Sequence, residues 1–174
     1  MDTISPFKTS VCGIEELAGH CDSCVSHVLS ILDPDWPVPD AFGAYREHAR
    51  LELRFHDVIE ETNPDRFAPQ QEHVSDLLAF GRGLLEVPHD DAHLLVHCHA
   101  GISRSTASMA LVLAQALPDV PADRIFEEVL HIPFLRLGQI CEFLKLATPC
   151  RAGAASSLRL RPGFTGPSSI GGNI

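Results

Sequence analysis

The sequence predicts an α/β fold: a single domain with a central, mainly parallel sheet flanked by helices. Three observations carry this. Short apolar runs suited to buried strands alternate with longer stretches of helical spacing. The 174 residues match one domain of ordinary size. Hydrophobic residues make up 45% of the chain, enough for a substantial core.

The first strand is expected at residues 25–32, VSHVLSIL, which are largely apolar and stop at Asp33-Pro34. Pro34, Pro37 and Pro39 then mark a loop around Trp36. Leu51, Leu53 and Phe55 alternate with Glu52 and Arg54, the period-2 pattern of a second strand. Val74, Leu77, Leu78, Leu84 and Leu85 recur at helical spacing and predict a helix over 69–86, its end weakened by Gly81 and Gly83. The run HLLVH at 93–97 suits a buried strand. Residues 104–117 are almost wholly apolar and end at Pro118, as in a buried helix. Ile125, Phe126, Val129 and Leu130 mark another helix, with Pro121 near its start. Leu137, Ile140, Cys141 and Leu144 mark a last one.

Charge divides the chain. Residues 1–147 hold ten Lys or Arg against all 23 acids, a balance of −13, and form the expected domain. Residues 148–174 hold three Arg and no acid, with five Gly, three Pro and four Ser, and read as a poorly ordered tail. The overall charge of −10 argues against binding nucleic acid or an anionic membrane. Six scattered cysteines are too sparse for a disulfide-stapled scaffold. No apolar run is long enough to span a bilayer, and residues 1–10 lack the pattern of a signal peptide. A soluble, cytoplasmic monomer is expected.

The chemistry gathers in one loop, His97-Cys98-His99-Ala100-Gly101-Ile102-Ser103-Arg104-Ser105. It joins the buried strand to the buried helix. In an open parallel sheet, ligands bind beyond the carboxyl ends of the strands. The helix N-terminus there offers free N–H groups and the positive end of its dipole. Gly101 lets the loop curl with its amides inward. Cys98 opens the loop and Arg104 closes it, with five residues between, an arc sized to encircle a phosphate. His99, Ala100, Gly101, Ile102, Ser103 and Arg104 are thus the phosphate-binding candidates. Arg104 adds a planar bidentate contact. The same positive surroundings would stabilise a Cys98 thiolate. Ser105, in the first helical turn, can hydrogen-bond the sulfur when the thiolate leaves. His97 is expected to face away from the ligand and order the loop. His99 is expected to face solvent.

The segment HCHAGISRS resembles the signature of the cysteine-dependent protein tyrosine phosphatases, His-Cys, five residues, then Arg-Ser/Thr. Ala100-Gly101 and Ser103-Arg104-Ser105 resemble its small dual-specificity branch. VCGIEEL, VSHVLSIL, LRFHDVIEE and the 69–86 helix are similar to small bacterial phosphatases of that type. The resemblance spans residues 10–130 and implies a phosphatase domain that hydrolyses phosphoproteins without a cofactor or metal. After the helix that ends near residue 130, His131-Ile132-Pro133 stands where the family often has Arg-Pro, no Pro-Asn follows, and from about residue 133 the likeness fades.

Such chemistry needs a general acid. Asp57 is the candidate, because it follows the 51–55 strand and a parallel sheet would bring it to the edge that carries Cys98. The resemblance implies an upstream Asp as well. Asp65 is the alternative, with Glu60 and Glu61 weaker ones.

Other readings fit parts of the same sequence. His20, Cys21, Cys24 and His27 contain a C-x-x-C-x-x-H pattern that zinc could accept, but no second ligand pair follows at finger-like spacing. A rhodanese-type sulfur carrier also has a cysteine in an anion-binding loop, though the upstream Asp and Cys–Arg spacing favour a phosphatase. A phosphate-binding pseudophosphatase would have lost Cys, Arg or acid, and all three candidates are present. A phosphoinositide phosphatase would favour Lys between Cys98 and Arg104, where none occurs. A single phosphomonoester on a phosphoprotein, phosphotyrosine with or without phosphoserine and phosphothreonine, fits better than a polyanion.

Overall fold

The computed structural model describes residues 4–58 and 64–130. The elements are β1 (Lys8–Cys12), β2 (His27–Leu32), β3 (Ala49–Arg54), α1 (Gln71–Leu85), β4 (His93–His97), α2 (Arg104–Ala116) and α3 (Ala122–Leu130). Short 3-10 turns cover Ile14–His20 and Asp40–Ala44. The helix expected at 137–144, the 148–174 tail, Glu60 and Glu61 lie outside the described residues.

The strands form one sheet in the order β1-β4-β2-β3, and every pairing is parallel. Parallel pairing turns all four carboxyl ends, at Cys12, Leu32, Arg54 and His97, to the same edge. Every residue of the two inner strands is buried. This explains their continuous apolar runs, since both faces of an inner parallel strand are covered. The outer strands are partly exposed.

Side chains alternate across the sheet. Leu29, Ile31, Leu94 and Val96 join Leu77, Leu84, Met109 and Leu113 in the main core, on the face covered by α1 and α2. Val28 and Leu95 turn to the other face and pack with Leu17 and Val25. Helix α2 is the most enclosed element. Ten of its thirteen residues are buried, including the polar Arg104, Ser105, Thr106 and Ser108.

Two features depart from the sequence reading. β1 was not foreseen; its residues KTSVC include one buried position and carry little periodicity. Helix α1 runs through Gly81 and Gly83 without interruption. A Cβ on Gly81 would stand 2.6 Å from the Gln115 Oε1 of α2, the mobile end of a long side chain, and 3.4 Å from Val112. Among the described residues, no helix is long and apolar enough to cross a membrane.

Candidate active site

The 98–104 loop leaves β4 at the carboxyl edge and runs directly into α2. It turns on Gly101, whose φ of +69° lies in the left-handed region. A Cβ there would meet the backbone of Cys12 at 2.5 Å and of Gly13 at 2.7 Å. Glycine is therefore required twice, for its conformation and for the close approach of β1. Gly13 answers from the other side: its own added Cβ would lie 3.0 Å from the His99 carbonyl.

The loop carbonyls are turned outwards. The His99 carbonyl accepts the Ile14 N–H at 3.1 Å, and the Ile102 carbonyl accepts the Thr106 hydroxyl. In a planar trans peptide the following N–H points the opposite way. The amides of Ala100 and Ser103 thus point away from the Ile14 and Thr106 donors. Ser103 is the N-cap of α2, yet its side chain makes no cap hydrogen bond. The helix start keeps free N–H groups and the positive end of its dipole.

Cys98 is buried, with its Sγ 3.3 Å from the Ser105 Oγ. Arg104 is buried as well. Its Nη1 donates to the Asp33 Oδ1 at 2.7 Å and to the Phe55 carbonyl at 2.8 Å. Its Nε is buried without a hydrogen-bond partner. A buried guanidinium N–H rarely goes unpaired, because the missing bond costs on the order of 1–3 kcal/mol.

Asp57 meets this loop through tertiary structure. The Ser103 hydroxyl donates to its Oδ1 at 3.1 Å. The segment that carries it is pinned at its base: His56 N–H donates to the Phe67 carbonyl at 2.8 Å, and Phe67 N–H to the His56 Nδ1 at 2.9 Å. Asp65 lies on the same segment and is exposed. A thiol, a buried arginine, a serine beside the sulfur and an exposed carboxylate are thus assembled around one amide-lined turn.

No protein-family model and no curated protein sequence matches the chain. Solved structures do. Human DUSP28 superposes with a TM-score of 0.58 at 14% identity, covering 84% of this chain and 94% of its own. The PTP-2 phosphatase of Cydia pomonella gives 0.60 at 18% identity, covering 83% and 87%. PTPMT1, solved in complex with PI(5)P, gives 0.56 at 15%, covering 83% and 92%. The fold is that of the protein tyrosine and dual-specificity phosphatases. The parallel sheet and flanking helices expected from the sequence are those of this phosphatase fold.

Within the phosphatase fold, the two loop histidines differ. His97 turns to the sheet face away from α1 and α2, where its Nε2 pairs with the Ser30 Oγ at 2.8 Å and its ring lies 5.5 Å from Phe42. Burial pushes its pKa down to about 4, so the ring is neutral. His99 does not simply face solvent. Its ring meets Trp36 edge-on at 4.4 Å, and its Nε2 takes the Asp33 N–H at 3.5 Å. Burial is also the main cause that lowers its pKa, which fits an unprotonated acceptor nitrogen.

Two residues of this site escaped sequence reasoning: Asp33, which holds Arg104, and Arg54, which holds the turn after β2. Asp33 looked like a strand terminator, and Arg54 like a solvent-facing strand residue. Neither carried a local signal of contact across the sheet edge. The cysteines and histidines of the zinc pattern occupy separate settings. Cys21 Sγ donates to the Ala18 carbonyl at 3.0 Å, Cys24 is exposed, and His27 packs on Phe80. Among the described residues no three His, Cys, Asp or Glu side chains form a metal-binding group.

Proposed function

We propose that this chain is a cysteine-dependent phosphomonoester hydrolase acting on phosphoproteins, at phosphotyrosine and also at phosphoserine or phosphothreonine. One observation carries the reading. Cys98 and the buried Arg104, with its unpaired Nε, bracket one short turn, and Asp57 is brought to that turn from 46 positions upstream of Ser103. The phosphatase fold supports it.

Each residue then has a role. The Cys98 thiolate attacks phosphorus; an S–P bond forms and the P–O bond to the substrate breaks. Asp57 gives its proton to the departing oxygen. Arg104, the amides of residues 99–103 and the α2 N-terminus meet the charge on the equatorial oxygens. Water then attacks the cysteinyl-phosphate while the Asp57 carboxylate accepts its proton. Cys98 leaves as a thiolate, with the Ser105 hydroxyl donating to the sulfur. His97 holds the start of the loop and takes no proton in the cycle. A thiolate and a carboxylic acid must coexist, so the rate should follow a bell-shaped pH profile.

The decisive measurement is turnover of an aryl phosphate and a panel of phosphopeptides and phosphoinositides by the wild type and Cys98→Ser. The variant should lose on the order of 10⁴-fold or more, as when a covalent nucleophile is removed. Full turnover by Cys98→Ser would overturn the mechanism. Binding without turnover by the wild type would make the chain a phosphate-binding pseudophosphatase. Preference for phosphoinositides would point to the PTPMT1-like alternative, which the Lys-free loop interior disfavours.

A further inference from the structure

We propose that Asp33 is a positioning residue for Arg104, and that Arg54 holds it in place. The inference rests on the phosphohydrolase reading above. Its geometry begins at the guanidinium. Arg104 has five N–H donors on a rigid plane. One corner, Nη1, is tethered by the Asp33 carboxylate and the Phe55 carbonyl. The Nε is buried and unpaired. A planar group fixed at one corner has its remaining edge aimed, and little rotamer freedom is left to lose when an oxyanion binds.

Asp33 is itself held. Arg54 reaches from β3 and its Nη1 donates to the carbonyls of Asp33 at 3.1 Å, Pro34 at 3.4 Å, and Trp36. The Glu52 Oε1 in turn accepts from Arg54 Nε at 2.8 Å and Nη2 at 2.6 Å. Glu52 thus steadies Arg54, Arg54 steadies the 33–36 turn, and the turn delivers the carboxylate to Arg104. The same aspartate reaches the phosphate-loop histidine, since its N–H donates to His99 Nε2 at 3.5 Å.

Electrostatics decides between positioning and mere attraction. A carboxylate beside a phosphate site repels the dianion and cancels part of the Arg104 charge. A net contribution to anion binding therefore has to come from geometry. The ion pair is also a third exposed on the aspartate side, which limits its worth as a stabilising contact.

The test measures inhibition by orthovanadate, a phosphate-like oxyanion, together with kcat and KM for an aryl phosphate. The proteins are the wild type, Asp33→Ala, Asp33→Asn, Arg104→Ala and the Asp33→Ala/Arg104→Ala pair. Asp33→Ala should weaken vanadate binding about tenfold or more, as expected when a catalytic group is misplaced. Asp33→Asn, which keeps an oxygen acceptor for Nη1, should recover most of that loss. In the Arg104→Ala background the Asp33 change should add nothing, because the two residues act as one unit. Arg54→Ala should reproduce part of the Asp33→Ala effect. The proposal falls if Asp33→Ala lowers only the melting temperature and leaves vanadate affinity intact. It falls equally if the loss is the same with and without Arg104. A wild type that bound vanadate but hydrolysed nothing would overturn the proposed function while leaving the Asp33 comparison readable.

Discussion

Strand β4 begins and ends in a buried histidine, and its two ends are built differently. At the amino end every polar group of His93 is answered. Its Nε2 pairs with the Ser10 Oγ at 2.9 Å and its Nδ1 with the Ser23 carbonyl at 3.0 Å. Its backbone N–H donates to the Ser26 Oγ at 2.9 Å. At the carboxyl end His97 is tied to Ser30, but the loop beyond it leaves the Arg104 Nε buried and unpaired and presents an uncapped helix start. One end closes its hydrogen bonds and ties β4 to β1 and to the segment that enters β2. The other leaves donors unpaired, as the proposed phosphate site requires. In a parallel sheet this division is natural, because the strand's carboxyl end faces the N-terminus of the following helix.

Substitutions at the carboxyl end should act on activity first. Arg104→Lys should lower kcat/KM on the order of 10³-fold, because an ammonium cannot keep both the Asp33 tether and an aimed second donor. A loss below tenfold would mean that the unpaired Nε is incidental. Asp57→Asn should cost about 10²-fold or more with a poor leaving group and should flatten the alkaline limb of the pH profile. An unchanged profile would pass the acid role to Asp65.

Smaller effects should separate the two ends by stability. Ser30→Ala leaves the buried His97 Nε2 unanswered and should cost about 1–3 kcal/mol in chemical denaturation, with reduced turnover. Ser10→Ala at the amino end should cost about 1 kcal/mol and leave kcat/KM unchanged. If Ser10→Ala impaired turnover as strongly as Ser30→Ala, the two ends would not be functionally distinct.

A further effect on stability concerns pH. His97 has a pKa near 4 in the fold against an ordinary value of 6.5. Between those values the unfolded chain binds the proton and the folded chain does not. Stability from this group is therefore complete above pH 6.5 and falls as pH drops towards 4. His93 is shifted in the same direction, chiefly by burial. Thermal melts between pH 7.5 and 4.5 should show a decline of several degrees that becomes shallower in His97→Asn.

Much of this molecule is local in origin and legible in the chain. The 93–97 strand, the loop from Cys98 to Arg104 and the buried helix after it follow from contiguous residues. A short apolar run, a glycine and a cysteine-arginine spacing suffice, since both inner-strand faces and the helix are buried. The α/β class and the parallel sheet follow from the same alternation. Tertiary structure decided what has no local period. The polar edge strand β1 forms only because β4 offers it a backbone ladder. Helix α1 continues through Gly81 and Gly83 because its apolar face is buried, with Val74, Leu77, Gly81 and Leu84 enclosed. Asp57 is joined to Ser103 across 46 positions and Asp33 to Arg104 across 71. Such pairs leave no periodic mark in sequence, because a single hydrogen bond between distant residues depends on the register of whole strands rather than on any neighbour in the chain.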